Sequence, residues 1–324
     1  MALAVVLVVA AVAIYFLTRE EEVAEDPEGQ GLVFEAGSDG EVIAVAAVGG
    51  RVLFVHASVD QQKKCEPPCY ASELRELGAR GGQKLGAREG EPRVFAVGPT
   101  HAVWGHSGLF EIENLSGGVK RVVSTGGERA ALDETHAYFA GRDLTRVDLA
   151  SGASETLVTG INAIDVALDE QSVYFVEGGA GTIWRMLKAG GARTPIAKEL
   201  KGARRITVAR RRVYVACEAD AAAASVVWDV AVDGTDKRQL ASFQGRPAAI
   251  GAAPDGVDLV TWSEGSPATL HALGPGKTDE LRRFTPPSYS ASSPGARQAE
   301  PSLASTDRYV YLSAARGLIR VERQ

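Results

Sequence analysis

The stretch Ile164–Gly191, IDVALDEQSVYFVEGGAGTIWRMLKAGG, limits what this chain can fold into more than any other. Val166–Leu168 is a short apolar run, Asp169–Ser172 a polar turn, and Val173–Val176 a β-branched and aromatic run. Gly178, Gly179 and Gly181 mark a second turn, Ile183–Leu187 a third run, and Gly190-Gly191 closes it. Runs of β-formers bounded by Gly, Asp and Ser predict strands joined by tight turns. No segment of this stretch has the length or period of a helix.

Weaker copies recur on both sides. Anchored on Tyr174, the equivalents are Leu53, Val103, Tyr138, Tyr214, Asp258 and Val310. Repeats of roughly 40–50 residues with four strands each are the period of propeller blades. A lone blade cannot bury both faces of its sheet, whereas blades packed around an axis can, and ring closure leaves only short edges. The last unit, Pro301–Val321, shows three strands, and Leu32–Phe34 is an orphan strand before the first unit. The expectation is an all-β, seven-bladed β-propeller over residues 31–324, with Leu32–Phe34 completing the final blade. Six blades is the alternative, because the Asp258 and Val310 units match least well. Two long spacings are assigned to insertions: a Cys-containing loop, Gln61–Gly90, and a Pro/Ser loop, Thr285–Gln298. Within the first, Ser72–Leu77 is expected to form one helical turn.

Met1–Thr18 carries no charged side chain, and a helix of this length reaches about 27 Å, near the hydrocarbon thickness of a bilayer. It has no basic leading segment, and its apolar run continues past Ala11 and Ala13. This favours an N-terminal transmembrane anchor over a cleaved signal peptide or a buried core segment. Arg19–Gln30 is acidic and aperiodic, a short solvated linker. Cys65 and Cys69, four apart around two prolines, suit a local disulfide in an oxidising compartment. Free thiols or half a metal site are the rivals, and Cys217 in VYVAC is expected to be buried. The cysteines put the propeller on the extracytoplasmic side of a membrane. A formal net charge of −6 argues against a nucleic-acid partner.

There is no nucleophile elbow, zincin helix, P-loop or dinucleotide fingerprint. No catalytic residue, metal ligand or cofactor is assigned. His56, His101, His106, His136 and His271 are read as turn or packing residues. Aligning the units places Arg93, Glu128, Arg129, Asp165, Arg204, Arg205, Arg246 and Glu300 where the innermost strands begin. As an Arg-rich channel rim these would hold an anionic ligand or an acidic protein segment by forked hydrogen bonds. The competing reading is a salt-bridged rim with a structural role. Arg210, Arg211 and Arg212 read as a surface turn.

The tetrad position after VALD, held here by Val173-Tyr174-Phe175-Val176-Glu177, resembles the YWTD class of β-propeller repeat found in lipoprotein-receptor-type propellers. Ala130–Gly152 and Ile206–Cys217 are partial matches, and no unit has the complete tetrad. The resemblance implies a propeller, usually six-bladed, that binds proteins or serves as a scaffold. Three functions are therefore weighed. The first is an anchored binding module for an envelope protein or glycan. The second is a propeller hydrolase or lactonase with a divalent cation held by carboxylates such as Asp165, Glu128 and Glu300. The third is a sensor subunit. Motif absence argues for the binder over the enzyme.

Overall fold

The computed structural model describes residues 31–36, 40–59, 70–78, 81–89, 94–106, 109–117, 120–219, 224–263, 266–274, 276–286, 301–314 and 317–323. Met1–Thr18, the acidic linker, Cys65, Cys69, Arg93 and Glu300 lie outside the described residues. Among those described, no helix is long and apolar enough to cross a membrane.

The chain forms seven four-stranded antiparallel sheets. After β1 (Leu32–Glu35), blade I holds β2 (Gly40–Val48), β3 (Arg51–Val59), β4 (Tyr70–Gly78) and β5 (Gly81–Glu89). Blade II holds β6 (Val94–Val97), β7 (His101–His106), β8 (Leu109–Asn114) and β9 (Lys120–Ser124). Blade III holds β10 (Gly127–Leu132), β11 (His136–Gly141), β12 (Leu144–Asp148) and β13 (Ser154–Val158). Blade IV holds β14 (Ala163–Leu168), β15 (Ser172–Glu177), β16 (Thr182–Leu187) and β17 (Thr194–Ala197). Blade V holds β18 (Ala203–Ala209), β19 (Arg212–Ala219), β20 (Ala224–Ala231) and β21 (Lys237–Gln244). Blade VI holds β22 (Arg246–Ala253), β23 (Gly256–Trp262), β24 (Ala268–Gly274) and β25 (Lys277–Phe284). Blade VII holds β26 (Leu303–Ser305), β27 (Tyr309–Ala314) and β28 (Gly317–Glu322), and its fourth strand is β1.

The segment expected as an orphan strand, Leu32–Phe34, lies within β1, which pairs antiparallel with β28 through Leu32↔Ile319 and Phe34↔Leu318. The expected helical turn at Ser72–Leu77 is instead part of β4. Each residue from Ser72 to Glu76 meets a cross-strand partner on β3, and that pairing overrides a local helix preference too short to nucleate alone. The span assigned to an insertion, Gln61–Gly90, therefore contains β4 and β5, the two outer strands of blade I. The register also moves one anchor of the repeat. Ala304 faces Tyr311 as Ala131 faces Tyr138, so Tyr311 rather than Val310 is the equivalent of Tyr174.

The sequence pattern follows from stacking. The second strand of blade IV, β15, is buried from Ser172 to Val176, because a neighbouring blade covers each of its faces and an uninterrupted apolar run is what both faces demand. Outer strand β13 is mostly exposed. Seven hydrophobic clusters are found among the described residues, and each joins one pair of neighbouring blades. Phe110 and Phe139 pack across the interface of blades II and III with ring centroids 4.8 Å apart. Phe34 on β1 meets Phe54 on β3 at 4.6 Å across the seam between blades VII and I.

Candidate functional site

Two faces result. The innermost strands start on one, here called the start face, and run to hairpins on the other, the exit face. The described residues of the predicted rim lie on the start face. Innermost strands β2, β10, β14, β18 and β22 each carry a bulge at the same place, at Ile43, Glu128, Ile164, Arg204 and Ala248. An extra residue there turns the next side chain toward the following blade. That next position holds Arg129, Asp165 and Arg205 in three consecutive blades.

These three do come together, but as a stitch between blades. The Asp165 carboxylate accepts the amide of Ile206 in the next blade at 2.9 Å and that of Val166 at 3.0 Å. Arg205 passes the link on, donating from Nε to the carbonyl of Ala248 in blade VI at 2.8 Å. At the equivalent place in blade VII, Ser302 Oγ accepts the amide of Val45 in blade I at 2.9 Å. Burial pushes the Asp165 carboxyl above its ordinary value, opposed by the Arg205 and Arg129 guanidinium charges and the two amides. A second group forms around Glu218, which sequence reasoning missed. Its carboxylate takes Arg204 at 2.5 Å and Arg246 at 2.9 Å. Glu128 is exposed. Of the six rim residues described, Asp165, Arg205 and Arg246 are thus held in inter-blade bonds, and Arg204 is paired within its own blade.

The exit face carries a cavity of about 750 Å³, open to solvent. Its apolar lining includes Val48, Val97, Leu132 and Leu168, at or near the ends of four successive innermost strands. Asp133, Glu134, Tyr138, Arg146, Asp169, Glu170 and Lys188 add polar groups. Five of these come from two copies of one local motif, Leu-Asp-x-x-(His or Ser)-x-Tyr, at Leu132–Tyr138 and Leu168–Tyr174. In the second, Asp169 Oδ1 accepts the amides of Gln171 at 2.9 Å and Ser172 at 2.7 Å, and Oδ2 accepts the Tyr174 hydroxyl at 2.6 Å. In the first, Asp133 Oδ1 accepts the amides of Thr135 at 2.9 Å and His136 at 2.8 Å. Its Oδ2 takes the Lys188 ammonium at 3.0 Å. An Asp that closes its own turn in this way is the reason for the residue's place there.

Burial opposes charge on both aspartates. The turn amides, with Lys188 beside Asp133 and the Tyr174 hydroxyl on Asp169, outweigh it and hold both carboxyls below the usual range. Burial, and then the adjoining carboxylate, pushes the Tyr138 and Tyr174 hydroxyls up to about 12. Arg146 donates to the Lys188 carbonyl and to Glu155, each at 2.5 Å. Among the described residues no three His, Cys, Asp or Glu side chains are grouped to hold a metal ion. Of the histidines, His136 lines the cavity. His271 is buried against Phe243 and bonds Thr261 at 3.0 Å, and His56 bonds the carbonyl of Ala36 at 3.0 Å. Cys217 is a free, buried thiol, pushed up to about 12 by burial.

The fold and this closed ring define a seven-bladed β-propeller. No family model matches the chain, and no curated protein matches it. Solved structures do. The β-propeller domain of the Trilobed protease from Pyrococcus furiosus is 9% identical with a TM-score of 0.61, covering 89% of this chain and 94% of that one. An oligogalacturonate lyase in complex with manganese is 12% identical with a TM-score of 0.60, covering 88% and 98%. A chain of a nidogen/laminin complex is 15% identical with a TM-score of 0.50, covering 66% and 84%. At these identities the likeness is one of fold alone. The protease domain has an open velcro topology, whereas here β1 closes the last blade.

Proposed function

We propose that this chain is a binding propeller of the cell envelope. In this reading residues 1–18 hold it at a membrane, the propeller stands on the extracytoplasmic side, and a protein or glycan partner is gripped on the exit face. The single observation that carries the binding role is the exit-face cavity, whose volume falls in the range of ligand sites and whose lining joins an apolar floor to a few placed polar groups. The two aspartates in it are committed to turn amides and a tyrosine or lysine, and Asp165 on the other face to two strand amides. Carboxylates spent on backbone bonds favour a binder over a hydrolase that needs several of them on one cation. A YWTD-like ancestry fits the repeat motif and the protein-binding habit of that class. The reading of a sensor subunit shares the same site and differs only in what the partner does.

The test is crosslinking in membranes of a strain producing the full chain, compared with an Ala189→Trp variant that fills the cavity from an exposed position. A reproducible partner or glycan lost in the variant is expected. Equal capture by both chains, or turnover of an ester or lactone that depends on an added divalent cation, overturns the reading.

A further inference from the structure

We infer that the exit-face cavity takes a cationic side chain, a lysine or arginine on a peptide segment of the partner; this rests on the binding reading above and adds the chemistry of what is bound. Beside His136, the cavity lining holds one lysine and one arginine, and both are already paired. Lys188 pairs with Asp133 at 3.0 Å, and Arg146 pairs with Glu155 at 2.5 Å. The acids are not balanced in the same way. Glu134 and Glu170 sit at the same place in the hairpins of adjacent blades III and IV, both exposed, and neither has an ion-pair partner among the described residues. Asp169 adds a third carboxylate, held ionised by the Tyr174 hydroxyl and two amides and feeling the Arg185 charge. The net field over the mouth is therefore negative.

Beneath these acids lies an apolar floor of Val48, Val97, Leu132 and Leu168. A side chain with a long aliphatic stem and a charged tip matches that layering, stem on the floor and tip at the acidic lip. A lysine or arginine has this shape, whereas an anionic ligand would meet three carboxylates.

The nearest competing occupant is the chain's own leader. The third strand of blade VII, β28, runs from the start face to the exit face, and β1 is antiparallel to it. Leu32 therefore lies at the exit face, where the Gly31 carbonyl accepts the Arg320 amide at 3.1 Å. The preceding segment carries Glu20, Glu21, Glu22, Glu25, Asp26 and Glu28 against Arg19. Like charge disfavours such a segment as an occupant beside Glu134 and Glu170. A second copy of the chain, with its net charge of −6, is disfavoured for the same reason.

The experiment is fluorescence anisotropy of fluorescein-labelled pentalysine against the full chain in detergent at low salt, with labelled pentaglutamate as control. Binding of pentalysine but not of pentaglutamate is expected. It should weaken at least tenfold in the Glu134→Gln/Glu170→Gln double variant and persist in Glu134→Asp/Glu170→Asp. Equal affinity of the double Gln variant, or binding of pentaglutamate, overturns the inference. The crosslinking comparison separates the two levels. If Ala189→Trp loses the envelope partner while pentalysine fails to bind the unaltered chain, only the cationic chemistry falls. If Ala189→Trp keeps the partner, the cavity itself is not the site.

Discussion

At the scale of single residues, Asp258 carries a large electrostatic stake. Its position in β23 is the one that Tyr138, Tyr174 and Tyr214 occupy in their blades. The aspartate is fully buried and is held by Ser305 Oγ at 2.5 Å and by the guanidinium of Arg323, which also donates to the Thr306 carbonyl at 2.9 Å. Arg323→Ala leaves that buried carboxylate without its cation and should cost about 3 kcal/mol of unfolding free energy in urea titrations. Arg308→Ala, which removes an exposed pair with Glu322, should leave the midpoint unchanged. His271 sets a pH dependence. Burial pushes its imidazole down to about 4, so the unfolded chain takes up a proton that the folded chain refuses. Stability should fall as pH drops from about 6.5 toward 4, by of order 1–2 kcal/mol after allowing for solvent screening, and His271→Leu should flatten that slope.

At the scale of elements, the hairpins between first and second strands show one problem solved three ways. Blades III and IV close the turn with an aspartate side chain, and Asp169→Ala should cost about 1–2 kcal/mol while Asp169→Asn keeps most of the turn. Blade I uses Gly49-Gly50, with φ of 56° and 78°. Blade V puts Arg210 and Arg211 in the same left-handed region, at 49° and 60°. Two-residue hairpins ask for that conformation, and arginine adopts it at a cost. Arg210→Asn with Arg211→Gly should therefore raise stability by about 1 kcal/mol, read from thermal unfolding. The hairpins also show why the exit face was not foreseen. Asp133 and Asp169 look like ordinary turn residues, and nothing local says that Lys188 and Arg146 reach the same mouth. The rim failed differently. Alignment of the repeats placed Arg129, Asp165 and Arg205 correctly in register. The bulge before each, which aims the side chain at the next blade, leaves no mark in the residue types. Glu218, the partner of Arg204 and Arg246, comes from a second strand, where the apolar pattern drew attention instead.

At the scale of the molecule, the period of the second strands made the blade architecture legible, because burial on both faces imposes a continuous apolar run that survives sequence drift. Blade I was obscured because β4, with the sequence YASELRELG, is rich in charged residues. Arg75 and Glu73, and Arg51 and Glu76, pair across or along that strand, which satisfies charges that read as loop or helix. Closure depends on one strand. Deleting residues 1–36 should lower the melting temperature by at least about 5 °C relative to deleting residues 1–30, because it removes the β1–β28 ladder and the Phe34–Phe54 contact.

The direction of that ladder has a mechanical consequence. Gly31 and Arg323 leave the last blade at the same end of neighbouring antiparallel strands. Tension applied between the two would open the seam like a zip, breaking its hydrogen bonds in turn rather than together, so a load carried by the leader would peel the wheel at its closing joint while the other six blades stayed intact.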